Sequence, residues 1–238
     1  MSDRPNAIAQ TEDFEFAALA EAKNYRRALF GEFRDALQGE VVEVGAGIGQ
    51  MTEQLVTLPA VRRTVAIEPD PGFCAQFRLR LPQTTLIEGT VSGLPPNTSY
   101  DAILCINVLE HIREDVSELA SFANLLRRRR GALCLFVPAR PEIYAPIDKD
   151  FGHFRRYTSR ELKSKLNEAG FTIERLHYFN FVGYFAWWAN FCLLKKRQFE
   201  IEKVRAFDRM IFPVAHRLES KVLRPPIGQS LLAIARAG

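Results

Sequence analysis

Hydrophobic and polar positions change period repeatedly along the chain, and the changes mark out alternating helices and strands. Phe14–Leu37 carries Leu19, Ala22, Leu29, Phe33 and Leu37 at helical spacing and runs into Gly39, which predicts an amphipathic helix. Glu40–Val44 is a short β-rich run that stops at glycines. Gln50–Leu58 is predicted helical and is closed by Pro59. Arg63–Ile67 reads as a strand, Gly72–Leu81 as a helix closed by Pro82, and Thr85–Ile87 as a short strand. Tyr100–Ile106 is an apolar strand, Asp115–Leu126 a helix, and Ala132–Val137 a strand ended by Pro138. Thr158–Ala169 is a helix capped by Thr158 or Ser159 and stopped by Gly170. Phe171–Tyr178 and Ser230–Ala237 are the remaining strands. This alternation predicts a doubly wound α/β fold, a mostly parallel sheet with helices on both faces. Ligands of such sheets sit beyond the carboxyl ends of the strands, where the strand order reverses.

Three strand ends carry candidate chemistry. The first is VVEVGAGIGQ, Val41–Gln50, where Gly45, Gly47 and Gly49 allow a sharp turn and a close ligand approach. The spacing is GxGxG, not the GxGxxG of dinucleotide binders, and Glu43 precedes it; a carboxylate there disfavours a pyrophosphate and suits an ammonium group. The second is Glu68, at the end of TVAIE, an acceptor for the two hydroxyls of a ribose. The third is YDAILCINVLEHIRED, Tyr100–Asp115, which puts Asn107 directly after an apolar strand and His111 before the next helix.

Together, in this order, these stretches resemble the class I S-adenosylmethionine-dependent methyltransferases. The resemblance extends to AKNYRR near the N-terminus and to PIDKDFGHFRRYTSRELKSKLNEAGF. The tail, with FNFVGYFAWWAN and RPPIGQSLLAIAR, resembles a branch often found beside glycosyltransferases. The resemblance implies a Rossmann-like fold with a seven-stranded sheet whose last strand is antiparallel. It implies S-adenosylmethionine as cofactor, S-adenosylhomocysteine as product, and no metal. Glu43, Gly45, Ala46, Gly47, Gly49 and Gln50 would hold the methionine moiety, and Glu68 with Pro69 the ribose. Thr90 and Val91 would flank the adenine, and Asn107 and Val108 would line the methionine side. The family usually has an aspartate where Thr90 stands, and its Pro-Gly-Gly turn before the fifth strand is Arg129-Arg130-Gly131 here.

The acceptor side rests on two further stretches. DKDFGHFRRY, Asp148–Tyr157, follows the fifth strand and concentrates His153, Arg155, Arg156 and Tyr157. Histidine titrates near neutrality, so His153 is the first candidate for removing an acceptor proton and His111 the second, with Tyr157 as a further catalytic candidate. The arginines suit an anionic group, or else pair with acids. Tyr178–Leu194 is aromatic, uncharged and seventeen residues long, followed by Lys195, Lys196 and Arg197. It is at the lower length limit for a membrane span. It reads instead as a buried helix, a subunit interface, a wall for an apolar acceptor or a peripheral membrane contact through 178–197. Tyr25, Tyr144, Arg155, Arg156 and Trp187 are the expected acceptor contacts. The expected organisation is a single domain: an N-terminal helical lid at 1–39, a cofactor-binding core at 40–177, an aromatic helical insertion at 178–229 and the last strand at 230–238.

Composition narrows this little further. With 238 residues, 47% of them hydrophobic, the chain can bury a substantial core without staples. Four widely spaced cysteines with no CxxC point to a reducing, cytoplasmic compartment, and the polar, acidic N-terminus does not read as a signal peptide. The net charge of +4 comes largely from Arg127–Arg130, which reads as a solvated helix end; no nucleic-acid partner is expected. The expected function is methyl transfer to a small, apolar or aromatic acceptor, with a lipid-linked or glycan acceptor as the alternative. The rivals from other classes are a nicotinamide-dependent oxidoreductase, which the missing GxGxxG disfavours, and a non-catalytic cofactor-binding protein.

Overall fold

The computed structural model describes residues 20–221 and 225–238, so positions 14–19 of the expected first helix lie outside the described residues. Helix α1 (Lys23–Phe33) precedes strand β1 (Gly39–Val44), the short α2 (Thr52–Leu55) and β2 (Val61–Glu68). Then come α3 (Pro71–Arg80), β3 (Thr85–Glu88), β4 (Ala102–Ile106), α4 (Asp115–Arg127) and β5 (Ala132–Pro138). The chain continues through α5 (Pro146–Asp150), α6 (Ser159–Glu168), β6 (Phe171–Phe179), α7 (Phe181–Trp187), α8 (Ile201–Ala206), α9 (Phe212–Lys221) and β7 (Ser230–Ala237).

The strands form one sheet in the order β3-β2-β1-β4-β5-β7-β6. β1 pairs in parallel with both β2 and β4, with Val42 opposite Val65 and Ile103, and Val44 opposite Ile67 and Cys105. The central parts of these strands, Val41, Val42 and Val44 in β1, Val65–Ile67 in β2 and Ala102–Cys105 in β4, are apolar and buried on both faces, as a parallel sheet covered on both sides requires. The order runs outward from β1 in one direction and from β4 in the other, so the ends of β1 and β4 flank the switch point. β7 runs against β5: Ala139 N–H donates to the Gln229 carbonyl at one end and Ala237 N–H to the Gly131 carbonyl at the other.

Local chemistry accounts for the helix limits. Asp70 caps α3 by accepting from Phe73 N at 2.8 Å, and Pro71 sits at the first helical position, one residue earlier than Gly72 suggested. The helix expected over Gln50–Leu58 is only Thr52–Leu55. Gly49 N–H still closes a turn onto the Ala46 carbonyl, and Leu58 N–H bonds the Leu55 carbonyl in a tighter turn. The Arg127–Arg130 run is tied to its surroundings: Arg127 to the Gly238 carbonyl, Arg128 to the Asn97 carbonyl, and Arg129 to Ser99, Asp101 and Glu40. Arg130 makes the turn into β5 with φ +48°.

The chain forms two compact units. The first holds the sheet: Phe30–Val137, Arg160–Leu176 and Leu232–Gly238. The second contains the described residues up to Leu29, with Pro138–Ser159 and His177–Leu231. Its core is an apolar cluster of Ile143, Ala145, Ile147, Phe151, Trp187 and Phe191. A further aromatic group joins Tyr25, Phe179, Phe212 and His216. Tyr178–Leu194 is not one helix. Asn180, in the left-handed region at φ +63°, caps α7 through Gly183 N–H. From Trp188 to Leu193 the helix widens to i→i+5 bonding, closed by Leu194 N–H on the Ala189 carbonyl. Among the described residues no helix is long and apolar enough to cross a membrane.

Candidate functional site

In the sheet unit, β1 delivers the chain into the glycine loop, which is pinned to the end of β2. Gly45 N–H and Ala46 N–H both donate to the Ile67 carbonyl, at 2.9 and 3.0 Å. Gly45 has φ +72°, and a Cβ there would stand 2.2 Å from Val108 Cγ2, so only glycine fits. Gly47 N–H donates to Glu68 Oε2 at 2.7 Å, and Asp70 N–H to Glu68 Oε1 at 2.9 Å. The Glu68 carboxylate thus joins the loop to the cap of α3, and burial holds its pKa above the usual carboxylate value. Each oxygen of a carboxylate has two acceptor positions, which leaves capacity for ligand hydroxyls.

Glu43, two residues before the loop, is buried and accepts from Thr52 Oγ1 at 2.5 Å. Burial pushes its pKa up to about 8; the Thr52 bond opposes this and the nearby Glu68 charge adds to it. Two buried acids whose charged forms are disfavoured, beside a loop that excludes a Cβ, fit a ligand bearing both an ammonium group and a hydroxylated ring. Those are the groups the implied adenosyl cofactor presents. Pro69 is exposed next to Glu68, Ala46 and Gln50 are buried in the loop, and Asn107 turns out of β4 at φ +52° with its N–H on the Phe136 carbonyl. Thr90 is exposed, its hydroxyl 2.8 Å from that of Ser92, ahead of the single turn Val91–Gly93. His111 ends the short turn Leu109–His111.

In the other unit, Asp148 organises the loop after β5. Its Oδ1 lies 3.0 Å from His153 Nδ1 and accepts from Arg156 Nε at 2.8 Å; its Oδ2 accepts from Ala145 N–H at 2.8 Å. Tyr144 donates its hydroxyl proton to the His153 carbonyl at 2.8 Å. Arg156 is buried, donates to the Ala139 carbonyl, and lays its guanidinium 4.3 Å from the Trp187 ring centre. Trp187 is buried and donates its indole N–H to the Ile143 carbonyl. Tyr157 is fully buried, bridging Pro138 and Arg140 by its backbone, and Arg155 is half-buried. His153, Tyr144, Arg156 and Trp187 therefore gather around Asp148 and its cluster. Tyr25 does not join them: its ring packs on Phe179 and Phe212, and its N–H donates to Asp208.

Sequence reasoning missed Thr52, Asp70, Asp148 and Asp208. Asp70 was legible as a cap before a proline. Thr52 and Asp148 carry no local signal, because each is selected by a partner across a turn.

A family model described as "Methyltransferase domain" matches residues 14–176. No curated protein matches the chain. Several solved structures share the fold. A Haloferax volcanii protein solved in complex with the Trm112 methyltransferase activator has a TM-score of 0.63 at 15% identity, covering 99% of this chain and 99% of that one. A DhpI–SAH complex has a TM-score of 0.60 at 14% identity, covering 98% and 94%. An S-adenosylmethionine-dependent methyltransferase from Clostridium acetobutylicum has a TM-score of 0.57 at 11% identity, covering 91% and 92%.

Proposed function

As a member of the methyltransferase-domain family, this chain is an enzyme that takes its methyl group from S-adenosylmethionine, and we propose that its acceptor is a small apolar or aromatic molecule whose proton His153 removes. The observation that carries this reading is the setting of His153. Its Nδ1 is held by Asp148, its carbonyl by Tyr144, and the rings of Tyr144 and of the adjacent Phe154 are exposed. A carboxylate on Nδ1 keeps the proton on that nitrogen and makes Nε2 the basic one. Exposed rings on the same loop suit an apolar partner.

When bound, the cofactor supplies an electrophilic methyl group on a sulfonium sulfur. On the protein side, Glu43 accepts from an ammonium group and in doing so becomes ionised. Glu68 takes ring hydroxyls while holding the loop through Gly47. Asn107 and Val108 line the methionine side, and Thr90 and Val91 border the adenine. Asp148 orients His153 and supports the positive charge that the imidazole gains with the acceptor proton.

The test is release of S-adenosylhomocysteine by the purified protein over a panel of small aromatic and aliphatic hydroxyl and amino compounds. Turnover on apolar members is expected, with a loss of about a hundredfold or more in His153→Ala at unchanged S-adenosylhomocysteine affinity. Turnover confined to charged, polar acceptors, or full turnover by the variant, overturns the proposal.

A further inference from the structure

Of the two tryptophans in α7 and the wide turn after it, Trp187 is 6% exposed and Trp188 is 47% exposed. The same division runs through the whole 181–218 segment. Phe185, Leu193 and Leu194 are exposed beside Trp188, and Met210, Ile211, Val214 and Leu218 are exposed along the run from 207 into α9. The Glu219 carboxylate accepts from Asn180 N–H and Phe181 N–H, so the end of α9 is fastened to the start of α7 and the apolar groups lie on adjoining helices. Water-exposed aromatic and aliphatic groups gathered on one segment mark an interaction surface.

The charges select the partner. Residues 175–199 and 209–218 contain no acid. Besides Arg175 in β6, the exposed charged groups among them are Lys195, Arg197, Arg209 and Arg217. The acids around the two stretches all have partners: Asp208 accepts from Asn24 N–H and Tyr25 N–H, the exposed Glu202 pairs with Arg205, and Glu219 caps α7. Glu200 is hydrogen-bonded by Lys196 and Lys203, which hold its pKa down at about 2. Asp150 takes Arg197 in an ion pair. Residues 185–218 carry seven lysines and arginines against three acids, each of which is hydrogen-bonded. A surface that mixes tryptophan, leucine and methionine with such an excess of positive charge is complementary to anionic headgroups above acyl chains. A second copy of the same cationic face would meet it with like charge.

We propose that the exposed face of residues 185–218 seats this enzyme on an anionic lipid bilayer, lying in the interface without spanning it. The docking is independent of which acceptor is methylated. The experiment is sedimentation of the full chain with vesicles of phosphatidylcholine alone and with about one-third phosphatidylglycerol, at low and high salt. The protein is expected to pellet with the anionic vesicles and to be released as salt rises. Trp188→Ser combined with Leu194→Ser should cut partitioning about tenfold or more. Arg209→Glu with Arg217→Glu, which leaves the apolar groups in place, should remove the preference for anionic lipid. Both pairs should keep wild-type S-adenosylhomocysteine affinity, which separates lost docking from lost folding. Protein that stays in the supernatant with anionic vesicles, or pellets equally with neutral ones, overturns the proposal. So does binding unchanged by both variants, or self-association that Trp188→Ser abolishes in a protein that never binds vesicles.

Discussion

Glu43 is a carboxyl group whose charge state decides what its site can do. With a pKa near 8 it is largely protonated at neutral pH, because burial outweighs the Thr52 hydrogen bond. The folded protein therefore holds a proton that the unfolded chain gives up at a much lower pH. The stability this contributes is complete below the ordinary glutamate range and is lost as pH rises through 8. The melting temperature of the ligand-free protein should accordingly fall between pH 5 and about 8, and Glu43→Gln should flatten that slope. A slope unchanged by the substitution would place the titrating group elsewhere. Ligand ammonium favours the ionised form, so S-adenosylhomocysteine binding at neutral pH should release a proton. Calorimetry in two buffers of different ionisation heat measures it. Glu68 differs in having two backbone donors already in place. Glu68→Ala should weaken S-adenosylhomocysteine binding by about 1.5–3 kcal/mol, tenfold or more, as read by the same titration. Both acids were legible in the sequence, since each stands at or near the end of a predicted strand. Their protonation was not, because it depends on Thr52 and on burial that no local pattern encodes.

Among the elements, the strands were the most legible and the short connections the least. A parallel strand buried on both faces is a continuous apolar run, which β4 and β5 display in sequence as in structure. α2 was overestimated because its apolar spacing continues past Leu55 while its backbone changes to tight turns. The aromatic stretch was legible only in part: Gly183, Trp187 and Phe191 are buried at every fourth residue while Phe185 and Trp188 face out, but the cap at Asn180 and the widened turn at 188–193, which divide the stretch, have no signal in the hydrophobic period. The glycine loop offers a test at this scale. Gly45→Ala adds a Cβ that meets Val108 and imposes a left-handed backbone on a residue that resists it. The backbone strain alone is of order 1–3 kcal/mol. Thermal unfolding should show that loss, and S-adenosylhomocysteine binding should fail with it. Val108→Ala in the same chain should recover the part due to the clash and leave the part due to φ. Full recovery would mean the backbone tolerates alanine there.

For the molecule as a whole, the alternation of strands and helices made the sheet legible but not the second compact unit, whose segments come from three separated parts of the chain. Hydrophobic period is a local signal, and nothing in it says that residues near Tyr25 pack with residues near Phe212. The contacts responsible are few and specific. Asp208, buried between α8 and α9, accepts from Asn24 N–H and Tyr25 N–H, and the Asn24 side chain donates to it as well. Beside it the Tyr25 ring sits edge-on to Phe179 at 5.5 Å and tilted on Phe212 at 5.2 Å. Asp208→Ala removes a charged acceptor from donors that are left without it, a loss of about 1.5–3 kcal/mol or more. Residues 23–25 are tied to residues 207–212 by these tertiary contacts and not by neighbouring chain, so the loss should appear as local opening. Amide hydrogen exchange should therefore accelerate in residues 22–29 and 201–218 while the strands from Gly39 to Val137 keep their protection. S-adenosylhomocysteine affinity should stay close to wild type, because Glu43, the glycine loop and Glu68 all belong to the sheet unit. Acceleration spread evenly over both units would show that they open as one cooperative body, and that Asp208 stabilises the whole chain and not the unit around it.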